Sequence, residues 1–470
     1  MREREGRLYF NRHRRPVYES EKCGDWMKQE IIDQTKKLAK DYDIYLQSTE
    51  INEVHLEKNR VNFANKVFDS GYGIRILKGG IGFSASNIKS DELIKKTILN
   101  AIKSAEMTEK VKFEFPKQGK YPEVEVVGRR IKNKGEQAVQ EYAEQLLNEM
   151  SKDVLLSFGK VRSYDSFTNI INSEGLDVQK EDTNFMVELS LIVKKNNVRM
   201  EFWPHEYRRR MQDLPMERIK KWIQIANDQT IAKGPKTEQT TVVFSPEVVL
   251  DGLGTVLGSH ATGSAKVNDV SRLAVGEKVA TDELTIISDG LYPFGLGTSG
   301  FDDEGVAQRK IPIIEKGVFK GFVYDQFYAL KDNTKSTGNG LKQSDVFFMF
   351  DGKYGMEPGN QISNFYVKPG DASYEEMIED IDHGILVEQF SWMDPDAITG
   401  KFSSEIRAGY YIKDGEIAEP IKGGLVIGNI FDMIQKIESI SDKSEITSAS
   451  NVLAGVCPYI SFRDVQIAGK

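Results

Sequence analysis

The sequence predicts an α+β protein: an N-terminal α/β domain with an antiparallel sheet and flanking helices, then a C-terminal, mostly antiparallel β domain of barrel or sandwich type. Three observations carry this. The chain has 470 residues, too many for one ordinary core. Its first half alternates amphipathic helical stretches with strand-like runs, while its second half holds many short β-type runs split by glycine turns. Lys233-Gly234-Pro235 breaks both patterns and sets domains at 27–233 and 234–470.

In chain order, Met27 opens a clean helical period, with Ile31, Ile32, Thr35, Leu38 and Ala39 on one face. Residues 1–26 read as a disordered extension or a misassigned start, so His13 and Cys23 carry little weight. Strands are expected over 43–48, 52–58 and 61–69. In GYGIRILKGGIGFSASN (71–87), Gly79-Gly80 between apolar runs reads as a hairpin turn, because glycine supplies a positive φ without strain. A phosphate loop would need a helix after it, and a strand follows instead. Ser90 is a capping hydroxyl for a helix over 91–105. Pro116 and Pro122 make 112–125 a loop, and 136–151 is again amphipathic. Strands follow over 154–162, 167–172 and 184–194, then a mostly helical stretch over 206–232. In the second half, Thr240–Phe244 is a strand. Ser245-Pro246-Glu247 starts a helix running to about Ser259: a capping hydroxyl, proline at the first position and an acid near the dipole. Short strands continue to a helix over 430–439 and a final strand over 459–468.

Composition limits the function. The chain is 39% hydrophobic and 29% charged, an ordinary globular balance, and its net charge is −8. A duplex-binding surface needs a positive patch to displace counterions, so direct nucleic-acid binding is disfavoured. Lys194-Lys195 and Arg208-Arg209-Arg210 are local basic runs, and a solvated surface accounts for both. Two cysteines, Cys23 and Cys457, make no disulfide framework, which points to a reduced, cytoplasmic setting. No apolar run is long enough to span a membrane and no secretory apolar region is present. There is no GxSxG elbow, P-loop or CxxC. His55, His205 and His383 are scattered without ligand spacing.

The most specific stretch is GFDDEGVAQRKIPIIEKGVFKGFVYDQFYALKDNTKSTGNG, residues 300–340. An acidic cluster, Asp302-Asp303-Glu304, turns at Gly305, and two β-type runs split at Glu315-Lys316-Gly317. With 71–87 and TGKFSSEIRAGYYIKDGEIAEPIKGGLVIGN (399–429), this order of pieces resembles the TldD/PmbA family, the so-called modulators of DNA gyrase, now regarded as metallopeptidases. The resemblance covers essentially all of 27–470. It implies one of two subunit kinds, of which one carries a metal-binding HExxxH. A hydrolytic zinc site needs imidazoles, usually a carboxylate, and an open position for water. Laid on SPEVVLDGLGTVLGSHATG without gaps, the motif falls on Gly254–Ser259. Gly254 and Ser259 take the histidine positions and Thr255 the glutamate position, so no metal-binding group is present. His260, one residue off register, is a weak metal candidate that reads more simply as a capping or exposed group. The family's ligand cysteine lies further upstream than Cys457, which reads as a packed thiol.

This pattern resembles the PmbA/TldE-like branch. It implies a chain with no metal of its own, paired in a dimer with a TldD-type HExxxH subunit that supplies zinc or a similar ion. The pair would degrade peptides or unfolded proteins, with neither nucleic acid nor membrane as partner. Strand addition of extended substrate is placed at the edge around Phe402, Tyr410 and Tyr411. Asp302, Asp303 and Glu304 offer oxygen ligands that suit a hard cation, but fit better a solvated loop or subunit contact. Two alternatives stand: a self-sufficient metal-dependent hydrolase using His260 and the acidic loop, and a non-enzymatic regulator.

Overall fold

The computed structural model of the chain describes residues 21–88, 90–195, 198–342, 350–449 and 454–469. Most of the extension expected over 1–26 therefore lies outside the described residues. The chain divides into two compact units: Met1–Gln118, Val126–Ala226 and Met349–Glu357 form one, and Gly119–Glu125, Asn227–Phe348 and Pro358–Lys470 the other.

In the first unit, helix α1 (Glu21–Leu38) begins ahead of Met27 and leads into β1 (Tyr42–Glu57), β2 (Arg60–Lys78) and β3 (Gly80–Ser86). Helices α2 (Asp91–Met107) and α3 (Arg129–Asn148) follow, then β4 (Val154–Asn172), β5 (Asp177–Lys195), β6 (Val198–Phe202), β7 (His205–Arg208) and α4 (Met216–Asp228). The strands make one antiparallel sheet in the order β3-β2-β1-β4-β5-β6, with β7 also on β5. Gly79 turns the β2–β3 hairpin at φ +86°, and the Ser90 hydroxyl accepts from the Leu93 amide, as expected. The strands are longer than the sequence suggested. Their mid-strand acids are paired, Glu50 of β1 with Lys66 of β2 at 2.7 Å and Asp165 of β4 with Lys132 of α3 at 3.0 Å, so polar residues there do not end the ladder.

Residues directly opposite in register share a face. One face carries Tyr42, Ile44, Tyr72, Ile74, Ile76 and Ile171, packed against Ile31 and Ile32 of α1 and Ile94, Ile98 and Ala101 of α2. The other face is polar. It holds the pairs Asp43↔Arg75, Gln47↔Gly71 and Thr49↔Asp69 between β1 and β2, and Thr49↔Ser166, Ile51↔Tyr164 and Glu53↔Arg162 between β1 and β4.

The expected helix over 206–232 is instead β7 followed by α4. Glu206 is buried, ion-paired with Arg208 and hydrogen-bonded by Arg218, and His205–Arg208 pairs with β5 in the sheet. The basic run is not a solvated surface either. Arg209 reaches Asp182 at 2.8 Å and Arg210 makes two bonds to Asp213, so all three guanidinium groups are spent on internal carboxylates.

The second unit contains β8 (Glu238–Phe244), β9 (Ile286–Asp289), β10 (Lys310–Glu315), β11 (Val318–Phe319), β12 (Gly340–Leu341), β13 (Gly359–Asn360) and β14 (Phe365–Val367). It continues with β15 (His383–Phe390), β16 (Lys401–Lys413), β17 (Glu416–Ile421), β18 (Leu425–Asn429), β19 (Ile437–Ile440), β20 (Glu445–Thr447), β21 (Gly455–Cys457) and β22 (Ile460–Ala468). Strands β15, β8, β22, β18 and β16 pair in turn, and β16 pairs back onto β15, closing a ring. A second sheet runs β11-β10-β9-β14-β21-β20. The helix expected over 430–439 stops at Met433. Residues Ile437–Ile440 pair with β22, so tertiary pairing overrides local helical period there.

Candidate functional site

The helical rod after β8 is α-helical over Pro246–Val249 (α5), π-helical over Leu250–Gly254 and α-helical over Thr255–His260 (α6). Proline occupies the first turn, as expected, but the Ser245 hydroxyl donates to the Glu388 carbonyl at 2.9 Å rather than capping the helix. Val248, Val249, Leu250, Leu253, Val256 and Leu257 enter the core shared with Phe244, Val387 and Phe462 of the ring and with Ile286, Ile313 and Phe365 of the second sheet. The π segment is a register shift inside the rod, a feature common at functional sites.

Gly254 offers no side chain. The Thr255 Oγ1 is enclosed and has no hydrogen-bond partner among the described residues. Ser259 is exposed, and its Oγ donates to the Thr255 carbonyl at 2.7 Å. These positions provide no imidazole and no carboxylate, so they do not fit a divalent metal. Among the described residues, no group of three or more His, Cys, Asp or Glu is placed to hold one.

His260 is neither exposed nor a cap; it is 2% exposed. Its Nδ1 accepts from the Arg272 amide at 2.9 Å and its Nε2 lies 3.2 Å from the Ile398 carbonyl, which assigns the proton to Nε2. The ring stands edge-on to Phe431, whose own face carries the Arg272 guanidinium. Both nitrogens are committed to main-chain partners, which removes His260 as a metal ligand. Burial, and to a lesser degree the Arg272 charge, depress its pKa from 6.5. The folded chain therefore binds fewer protons here than the unfolded one. The contribution is full above pH about 6.5 and is lost as pH falls through the depressed value. Wild type should lose stability below pH about 6.5, measured by denaturant unfolding, and His260→Gln should lack that slope while costing about 1–3 kcal/mol at pH 7.5. Equal slopes would refute this role.

The acidic cluster is not solvated. Asp302, Asp303 and Glu304 are 0%, 3% and 1% exposed. Asp302 Oδ1 accepts from the amides of Glu304 and Val306 at 3.0 and 2.9 Å, and Oδ2 accepts from the Gly340 amide at 2.8 Å. Asp303 accepts from the Lys342 amide and Glu304 from the Gln326 amide, both at 2.8 Å. Tyr121 donates to the Gly305 carbonyl at 3.0 Å and stands edge-on to Phe301. The cluster is a knot that ties the 302–306 turn to the start of α-helix Gln326–Lys331 and to the segment at β12. Gly340 has to be glycine, because a Cβ there would overlap the Glu304 carboxylate.

Tyr410 and Tyr411 do not lie on an open edge. Strand β16 is paired to β15 over Ile406–Lys413 and to β17 over Gly409–Lys413, while its first part, Lys401–Glu405, pairs with β18. Phe402 is buried, Tyr410 donates to Asp228 at 3.0 Å, and the Tyr411 hydroxyl accepts from the Lys236 amide at 2.8 Å. Around Tyr410 and Tyr411 strand addition is blocked, because β15 and β17 take the backbone groups on both sides of β16. Cys457 is a packed thiol in β21, pushed up by burial and so held protonated.

One feature of the first unit was not anticipated. Residues Phe350–Gly355 lie as a strap on the polar face of the sheet. Gln47 Nε2 donates to the Phe350 carbonyl and Gln47 Oε1 accepts from the Lys353 amide, each at 2.8 Å. Asp69 accepts from the Gly352 amide at 3.0 Å and from the Tyr354 hydroxyl at 2.9 Å. Gly71 and Gly73 form its seat: a Cβ at Gly71 would meet the Tyr354 ring, and one at Gly73 the Tyr354 carbonyl. Two glycines sharing one face of a strand were the available signal of a close approach.

Residues 237–469 match the family model described as the PmbA/TldA metallopeptidase C-terminal domain, and residues 42–106 that of PmbA/TldA metallopeptidase domain 1. The chain is similar to an uncharacterized protein of Methanocaldococcus jannaschii, 26% identical over 422 residues that make up 88% of this chain and 94% of the relative. It is similar to a metalloprotease of the same organism, 26% identical over 427 residues, 86% of this chain and 90% of the relative. Its fold is similar to the crystal structure of TldE from Thermococcus kodakarensis, with a TM-score of 0.83 over 94% of this chain and 100% of that one, at 24% identity.

Proposed function

This chain belongs to the PmbA/TldD metallopeptidase family, and we propose that it is a PmbA/TldE-like subunit of a peptidase complex, in which a TldD-type partner supplies the metal and the general base. The observation that supports this reading is the rod Pro246–His260: at the positions where the resemblance would set the family's metal donors it carries Gly254, Thr255 and Ser259, and His260 is buried with both nitrogens on main-chain partners. Such a chain contributes walls and peptide contacts rather than the reacting groups. A metal bound in the partner would activate water for attack on a peptide carbonyl. Two cysteines in the whole chain favour a cytoplasmic setting. No helix among the described residues is long and apolar enough to cross a membrane.

The test is metal content of the chain purified alone without chelator, by mass spectrometry. Less than about a tenth of an equivalent of zinc, iron or manganese is expected, and metal-dependent peptide cleavage should appear only on mixing with an HExxxH-bearing partner. About one equivalent of metal in the chain alone, or a mixture that cleaves nothing, would overturn the reading.

A further inference from the structure

The strap is held in the way a peptide ligand is held. It forms no ladder with the sheet. Side chains of the sheet instead read its main chain, Gln47 at both its carbonyl and amide sites and Asp69 at the Gly352 amide. Such main-chain contacts tolerate any residue but proline at the amide positions, because every other residue carries the same backbone groups. A single side chain is buried deeply: Phe350, 4% exposed, with ring centroids 5.1 Å from Tyr164 and 5.8 Å from Tyr207. Arg162 borders this pocket, donating to the Tyr164 hydroxyl at 3.0 Å and paired with Glu53, which also lies 3.4 Å from His55.

The strap is also an imperfect occupant. Its Asp351 carboxyl is raised above its ordinary range by burial and by the Asp69 and Glu53 carboxylates, which a hydrogen bond from its own main chain and the Arg162 charge offset only in part. A neutral or basic residue would suit that position better than the chain's own aspartate.

We propose that the polar face of the first unit's sheet is a peptide-binding groove with the Phe350–Tyr354 strap as its resident occupant, and that an extended peptide displaces the strap by placing an aromatic side chain between Tyr164 and Tyr207. The residue that follows the aromatic one is neutral or basic in a preferred peptide, because it takes the place of Asp351. The proposal rests on the peptide-handling role given above and names the substrate class: unfolded segments with an aromatic residue not followed by an acid.

The experiment is fluorescence anisotropy of the full chain with a labelled unstructured peptide containing a Phe-Lys step, beside versions with Ala-Lys and Phe-Asp. Wild type should bind the Phe-Lys peptide most tightly. Phe350→Ala empties the pocket and should bind it about tenfold more tightly, since the competent state no longer has to be exposed. Asp351→Asn settles the strap and should weaken binding about threefold, by the same population argument. This second variant keeps side-chain size and tests the idea even if Phe350→Ala does not fold. Equal affinity for the three peptides, or an unchanged affinity in folded Asp351→Asn, would overturn the groove. Cleavage by the mixed complex is a separate readout. Cleavage with strap-independent binding removes this inference alone, and strap-dependent binding without cleavage removes only the peptidase assignment.

Discussion

Asp302→Ala is expected to destabilise the second unit by about 3–5 kcal/mol, because it orphans three enclosed amide donors, each worth about 1–3 kcal/mol when left unpaired. Those donors are the amides of Glu304, Val306 and Gly340. At this size the loss corresponds to a fall of roughly 6–20 °C in melting temperature. Asp302→Asn keeps one acceptor oxygen but turns an amide toward one of the donors, so it should fall between the two. Glu304→Gln should behave differently. Burial and the Glu304 charge together push the Asp302 carboxyl well up, against three amides that favour its ionised form. Replacing Glu304 removes the repulsion and retains an oxygen for the Gln326 amide, so its cost should stay below about 1 kcal/mol. The folded Asp302 holds its proton to higher pH than the unfolded one, so this carboxyl's contribution is full at low pH and declines as pH rises from its ordinary value of 3.8 toward the raised one. Glu304→Gln should flatten that decline. Thermal unfolding of the three variants at several pH values decides the matter, and an Asp302→Ala variant within 1 kcal/mol of wild type would refute the knot.

What the sequence revealed and what it hid divide along one physical line. Interactions within a few residues were legible: the Ser90 cap, the glycine turn at Gly79, the proline that opens the rod at Pro246, and the apolar stripes of α2 and α3. Groups whose partners are remote were misread. Asp302 reads as a solvated loop acid until the Gly340 amide is brought to it, and His260 as an exposed helix end until Ile398, 138 positions away, accepts its proton. Arg209 finds Asp182 in the same way. The expectation that Gly254, Thr255 and Ser259 supply no metal donor needs no fold, since it rests on residue identity alone. The strap was invisible because its locking residues, Gln47 and Asp69, are ordinary strand polars. Only the segment some 300 positions on gives them a role.

Asp43→Ala should produce a comparable loss in the first unit, about 3–5 kcal/mol, by leaving a buried guanidinium without its counter-charge. Asp43 and Arg75 are 4% and 5% exposed and meet through two bonds, Nε to Oδ1 at 3.1 Å and Nη2 to Oδ2 at 2.7 Å. The guanidinium also lies 5.7 Å over the Phe115 ring. A pair of this kind is costly to break and cheap to replace as a whole, because the desolvation penalty vanishes with both charges. Asp43→Leu with Arg75→Met should therefore recover most of the loss, and a double-mutant cycle in urea should return a coupling of more than about 2 kcal/mol. The pair shares the polar face with the strap's seat, since Asp43↔Arg75, Tyr45↔Gly73 and Gln47↔Gly71 are successive pairs of one register. A stray cation there would disturb the sheet where Tyr354 rests on Gly71. Asp43→Ala should thus also speed hydrogen exchange at the Gly352 and Lys353 amides, while the charge-free double variant should leave it near wild type. If the single variant melts early with unchanged exchange at those amides, the pair stabilises the sheet but does not hold the seat.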